Sequence, residues 1–345
     1  MRKLIFGAAI CALASLCVLS CQKEVNVEIS YSSEILDLTK SVVIDKNNTP
    51  VFTDFKNFQE HCQKTQQLTD EQWIELEHWG KKHGFISMRA MSIKLSDDYS
   101  LVDSKTAYDD FMAKYDGIVE INEKQSIEVK DYFPPYAAFL NIYGEVIIGE
   151  DLFKFTPKHI IQIVGGDRNK LISAIENPIT NEKEGIYVFP IEIIETKATC
   201  PQIFVSYFCH VGSPQSHRLD NVYQLYFNTF ACNSNIPATC WTHSNTFDAY
   251  IKSEKRGFAG AWIRHRTAIT FSLGWGAQGD PLITTYQSGG TGWTTGSNQS
   301  EVHYQTAVGP FIDRPQIDNR LKYLFDYLYT NATTAEITSC SFGCQ

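Results

Sequence analysis

His210, His217 and Asp220 lie within eleven residues of one another in the second half of this chain, and such a set could perform acid–base chemistry or hold a metal ion. Metal-binding histidines on one element usually come at tight spacing, as in HExxH, whereas these two stand seven apart. With Gly212 and Pro214 between them, they read as solvated loop histidines. A serine nucleophile on a strand-to-helix elbow needs Gly-x-Ser-x-Gly, which the chain lacks. Ser288 comes nearest, but its glycines all follow it and Tyr286 stands where the first should be. Gly165-Gly166-Asp167 could offer a helix N-terminus to an anion. It carries neither the third glycine of a dinucleotide fingerprint nor a Gly-Lys-Ser/Thr, so it reads as a turn with an aspartate cap.

Binding chemistry is better represented than catalysis. Trp275, Tyr286 and Trp293 lie among seven glycines between Gly274 and Gly296, with Thr and Ser between them. Aromatics on Gly-rich loops have few places to bury, and their flat faces beside hydroxyls suit sugar rings. Trp262-Ile263-Arg264-His265-Arg266 alternates as a strand would, with Trp262, Arg264 and Arg266 on one face. An arginine beside a tryptophan can hold a carboxylate or stack on the ring, although a solvated outer face is the simpler reading. No catalytic residue, metal or cofactor is expected.

The N-terminus supplies an address. Arg2 and Lys3 precede an apolar run from Leu4 to Leu19, 16 residues against the ~20 of a membrane span. Val18-Leu19-Ser20-Cys21 follows, with a cysteine at the expected cleavage point. This arrangement resembles bacterial lipoprotein signals, which implies that Cys21 is diacylated and becomes the first mature residue. Two acyl chains make a stable anchor where one would not. Lys23 and Glu24 resemble the charged signals that send some lipoproteins to the outer face. The expected location is the bacterial cell envelope, anchored in the outer membrane through lipid on Cys21.

Charge and cysteine divide the rest. Cys21 to Thr199 holds 19 Lys and Arg against 30 Asp and Glu, while Cys200 onward holds nine of each. An acidic half and a neutral half lack the basic stripe that nucleic acid requires. Cys62 stands alone in the first half; Cys200, Cys209, Cys232, Cys240, Cys340 and Cys344 cluster in the second. In an exported protein an even set reads as disulfides rather than free thiols. The spacings contain no CxxC pair, which speaks against metal. The short-range pairs Cys200–Cys209, Cys232–Cys240 and Cys340–Cys344 are the expected choice among 15 possible pairings.

Periodicity predicts the elements. Phe55, Phe58 and Cys62 mark a helix over 54–66, Thr69-Asp70-Glu71-Gln72 forms a capping box for a second that Gly84 ends, and a third runs from 105 to 115. The run from Phe139 to Gly149 predicts a hairpin turning at Gly144-Glu145, and helical and strand patterns follow at 167–176 and 186–194. Leu140, Asn141, Gly144, Glu145, Ile148 and Gly149, with the Trp-rich helix upstream, resemble a signature of uncharacterised Bacteroidetes lipoproteins. That resemblance covers residues 52–155 and implies a bacterial surface origin, with no activity attached.

Beyond Thr199, strand-like runs appear at 203–208, 223–230, 261–266, 268–273, 282–286 and 301–307, and helical spacing of Ile317, Leu321, Leu324 and Leu328 predicts a helix over 315–329. The expected fold is α+β, with a small helical and hairpin N-terminal domain before an antiparallel, β-sandwich-like, disulfide-containing C-terminal domain. The expected divisions are 1–20 signal peptide, 21–49 lipidated tether and lead-in, 50–199 α+β domain and 200–345 β-rich domain. The expected function is non-catalytic binding of a glycan or a surface protein. An envelope-associated hydrolase and a purely structural envelope component are the alternatives.

Overall fold

A computed structural model describes residues 30–190, 207–211, 216–231, 241–278, 286–296, 299–307, 312–314, 324–338 and 340–344. Cys21, Cys200, Cys232 and Cys240 lie outside these residues, as do the side chains of Cys209, Cys344, Tyr286 and Trp293. Met1–Tyr31 form one unit and Ser32–Gln345 another, to which the fold below belongs. Within that unit the chain is mixed α+β, with sheets that are mostly antiparallel.

Six helices are described: α1 (Ser33–Thr39), α2 (Phe55–Lys64), α3 (Asp70–Lys82), α4 (Met88–Tyr99), α5 (Lys105–Lys114) and α6 (Arg168–Glu176). Their starts follow the caps. Asp54 accepts the Asn57 amide at 2.8 Å, and Thr69 and Gln72 exchange both bonds of the capping box. Helix α1 lies in the stretch read as lead-in, where Ile35 and Leu38 are already core residues. Helix α4 has no counterpart in the sequence reading, because its buried side includes Arg89, Ser92 and Ser96 beside Met88, Met91 and Leu95. Those polar residues dilute the apolar stripe that would announce it.

The first half contributes β1 (Val43–Ile44), β2 (Pro50–Phe52), β3 (Val119–Ile121), β4 (Ile127–Val129), β5 (Glu145–Ile148), β6 (Asp151–Phe155), β7 (His159–Ile163) and β8 (Ile186–Pro190). Six of them form a sheet in the order β1-β2-β5-β6-β7-β8, and β3 pairs with β4 as a separate ribbon. Aromatic rings pack between this sheet and α2, with Phe58 4.8 Å from Tyr136 and 5.1 Å from Phe52, centroid to centroid.

The hairpin is displaced from its expected place. Its turn is Gly149-Glu150, joining β5 to β6, rather than Gly144-Glu145. Gly144 instead closes a turn that delivers the chain into β5: φ is +73°, and its amide bonds the Asn141 carbonyl at 2.8 Å. Asn141 Oδ1 accepts the amides of Tyr143 and Glu145, both at 3.0 Å. The Leu-Asn…Gly-Glu…Ile-Gly residues are thus a backbone device, with two glycines at positive φ and an asparagine as the turn's internal partner.

The second half adds β9 (Tyr207–Val211), β10 (His217–Ala231), β11 (Trp241–Arg256), β12 (Trp262–Arg264), β13 (Thr270–Gln278), β14 (Tyr286–Thr294), β15 (Glu301–Ala307), β16 (Ile312–Arg314), β17 (Leu324–Thr333) and β18 (Cys340–Cys344). One sheet centres on β11, flanked along its length by β10 on one side and by β16, β15 and β12 in succession on the other. A second has the order β14-β13-β17-β18. The two meet through Phe247 on Trp275 and through Tyr223, whose hydroxyl bonds Thr330 at 2.7 Å.

Two expectations are corrected here. Residues 324–329 of the expected C-terminal helix are strand: Leu328, Thr330 and Ala332 are buried while Asn331 is exposed, a period of two. A Cys340–Cys344 disulfide is excluded, because both residues lie on the extended strand β18. Four residues of strand span ~13 Å, against the ~7 Å limit for bridged Cα atoms. Cys62 is a buried free thiol.

Candidate binding site

Strand β11 has two buried faces of opposite character. Phe247, Ala249 and Ile251 face one way and are wholly buried; Asp248, Tyr250, Lys252 and Glu254 face the other and are buried as well. The polar face supports the helical half through ion pairs. Lys252 pairs with Glu128 on β4 and lies 3.2 Å from Glu254, which accepts Arg218 Nε at 2.6 Å. Arg218 also donates to Ser126 at 2.8 Å, and Lys124 reaches Asp220 at 3.0 Å. Burial would raise the Glu128 carboxyl, but Lys252 and Arg264 outweigh it and hold its pKa at about 2. Each charge in this layer has a partner, which is the condition for burying it at all.

A cavity of about 890 Å³ opens beside this layer, between the helical half and strands β14 and β15. Pro134, Pro135, Ala137 and Leu68 give it apolar surface, while Thr65, Thr69, Thr291 and Thr295 present hydroxyl side chains. Trp73 and Arg89 stand together at one wall, the guanidinium carbon 3.6 Å from the ring centroid. Arg89 donates to Glu77 at 2.9 Å and to the Gln299 carbonyl at 2.6 Å, and Gln299 donates to Asp70 at 2.7 Å. Gly296 makes room for that chain, since a Cβ there would lie 2.3 Å from Asp70 Oδ2.

Glu301 and His303, two apart on β15, face the cavity together. Glu301 accepts from the Tyr132 hydroxyl at 2.7 Å and pairs with Arg264, whose guanidinium lies over the Tyr132 ring. Burial opposes ionisation of Glu301, yet Arg264 and His303 hold its pKa well below the usual carboxylate range. Burial likewise opposes protonation of His303, but Glu301 and Asp248 raise its pKa to about 9. Its Nδ1 lies 3.5 Å from Asp248 Oδ1 and its Nε2 3.5 Å from Glu301 Oε1. His303 is therefore a buried cation held between two carboxylates beside the cavity wall.

The residues singled out by sequence are distributed differently. Trp275 is buried, 3% exposed, under Gly289, where an added Cβ would meet its indole at 2.7 Å. Of the Gly-rich stretch, residues 274–278 and 286–294 are strand rather than loop: β13 carries Trp275, and β14 carries Tyr286 and Trp293. Thr291, Gly292, Thr294, Thr295 and Gly296 from it do line the cavity. His217 and Asp220 do not converge, since a three-residue offset on β10 turns them to opposite faces. Asp220 joins the buried ion pairs, His217 faces His265, and His210 lies on β9 opposite Arg218. Trp262 and Arg264 are buried rather than solvated, with Arg218 and Arg256 stacked on Trp262. Gly165 donates its amide to Asp151 at 3.0 Å, so that turn is occupied by its own chain.

Sequence reading passed over Arg89, Glu301 and His303. An alternating Glu-x-His on a strand was the one visible signal, and it is weak alone. Among the described residues, no helix is long and apolar enough to cross a membrane. The chain matches no protein-family model and no curated protein.

Proposed function

We propose that this is a lipid-anchored protein of the bacterial cell envelope that binds a glycan, without turning it over, in the cavity beside β15. The observation that carries this reading is the cavity itself, whose wall sets the Trp73 ring, with the Arg89 guanidinium stacked on it, beside threonine hydroxyls and proline and alanine surface. The walls suit the same ligand, because hydroxyl side chains answer sugar hydroxyls and the proline and alanine surface answers C–H faces. A volume of about 890 Å³ is that of an ordinary small-ligand site.

Turnover is the weaker reading on this geometry. Glu301 is engaged by Tyr132 and Arg264, and His303 holds its proton too tightly for transfer near neutral pH. The lipid on Cys21, outer-membrane placement, a sandwich-like C-terminal region, disulfides among Cys200, Cys209, Cys232, Cys240, Cys340 and Cys344, and kinship with Bacteroidetes lipoproteins belong to the same proposal. They rest on the lipobox-like Leu19-Ser20-Cys21, the cysteine clustering and the residues 140–149.

The test is a glycan array probed with the full chain and with Thr291→Trp and Leu68→Trp, which narrow the cavity from opposite walls. Signal on the wild type, lost in both variants at unchanged circular dichroism, supports the reading. Unchanged binding in both variants, or hydrolysis of the bound oligosaccharide, overturns it. Cys21→Ala should move the protein from the detergent phase to the aqueous phase.

A further inference from the structure

We propose that His217, His265 and Glu336 bind one divalent transition-metal ion, with Zn²⁺ the best chemical match. The three come from separate places: His217 begins β10, His265 follows β12, and Glu336 sits in the turn after β17. Their ligand atoms all lie within 4.8 Å of one another. His265 Nε2 and Glu336 Oε1 are already 3.0 Å apart, and the two imidazole centroids 4.9 Å apart. Ligand atoms at 2.0–2.1 Å from a tetrahedral ion are ~3.3 Å from each other, so rotation of these half-buried side chains closes the site.

The surroundings orient the ligands as a metal site requires. Ser216 Oγ lies 3.1 Å from His217 Nδ1, which leaves Nε2 for the ion. Glu336 Oε2 accepts from Thr334 Oγ1 at 3.0 Å, and that hydroxyl in turn accepts the amides of Glu336 and Ile337. The turn thereby holds the carboxylate with its other oxygen toward His265. None of the three ligands lines the glycan cavity, so this site stands or falls separately from that reading.

Two imidazoles and one carboxylate favour Zn²⁺, Co²⁺ or Ni²⁺ over Mg²⁺ and Ca²⁺, which prefer all-oxygen sets. Three protein ligands leave a fourth tetrahedral position for water. The ion would also join the β11 sheet, through His217 and His265, to the turn that leaves the second sheet. Binding to the folded chain alone would then raise its melting temperature.

The experiment is Co²⁺ titration of the full chain after chelator treatment, followed by Zn²⁺ competition. One equivalent of Co²⁺ should give the visible d–d bands of a tetrahedral complex, and Zn²⁺ but not Mg²⁺ should abolish them. The affinity should fall at least ~10-fold in Glu336→Gln and vanish in His217→Gln/His265→Gln. A measurement that needs no variant is histidine modification by diethylpyrocarbonate, read by mass spectrometry. Zn²⁺ should protect His217 and His265 in the wild type. Absent d–d bands, a sulfur-to-cobalt charge-transfer band, bands that persist in the double variant, or unprotected histidines would overturn the assignment.

Discussion

His303 on β15 and Asp248 on β11 face each other inside the protein, with Nδ1 3.5 Å from Oδ1 and Glu301 at the same distance from the other ring nitrogen. An imidazole between two carboxylates stays protonated at neutral pH, and this has a direct consequence for stability.

The folded pKa of His303 is about 9, above the ordinary imidazole value of 6.5. A pKa raised on folding contributes stability that is complete below pH 6.5 and lost as pH rises through about 9. The contribution is on the order of 3 kcal/mol. Urea midpoints of the wild type should therefore fall across that window more steeply than those of His303→Gln. Superimposable profiles would refute the assignment.

Arg264 and Glu301 form an ion pair with both side chains under 5% exposed. Removing one partner strands a buried charge, so Arg264→Met should cost about 3–5 kcal/mol. Arg264→Met with Glu301→Gln should cost less than the sum of the two single changes. A double-mutant cycle by chemical denaturation measures the difference, and additivity would show the pair to be uncoupled.

Gly144 has φ +73°, and a Cβ there would lie 2.6 Å from the Phe155 carbonyl oxygen. Gly144→Ala should destabilise by about 1–3 kcal/mol. Gly117 has nearly the same φ with open space around it, so Gly117→Ala should cost less. Thermal melts of the two variants separate the contact from the dihedral.

Burial pushes the Cys62 thiol well above its ordinary pKa. Little thiolate forms, and nucleophilic attack is slow. Iodoacetamide should leave Cys62 unmodified in the folded chain and label it on unfolding, as peptide mapping can show. Rapid labelling under native conditions would contradict its burial.

Helices α2, α3, α5 and α6 were legible because their caps and apolar spacing are local. Strand β11 was invisible for the opposite reason. Its second face is Asp248, Tyr250, Lys252 and Glu254, which in sequence looks like a solvated run and in the fold is buried against partners up to 124 residues away. The spacing of Leu324 and Leu328 misled because leucines four apart also share one face of a strand, and pairing with β13 and β18 decided the matter.

What the amino-acid sequence determined by itself was what neighbours along the chain can decide: helix caps, the charge difference between halves, and the lipobox-like start. Tertiary structure alone decided which charges meet. It set His303 between Glu301 and Asp248, Arg89 against Trp73, and His217 beside His265 and Glu336. The pairs His217–His265, His303–Asp248 and His265–Glu336 lie 48, 55 and 71 residues apart, and side-chain chemistry carries no record of its partner until the backbone brings the two together.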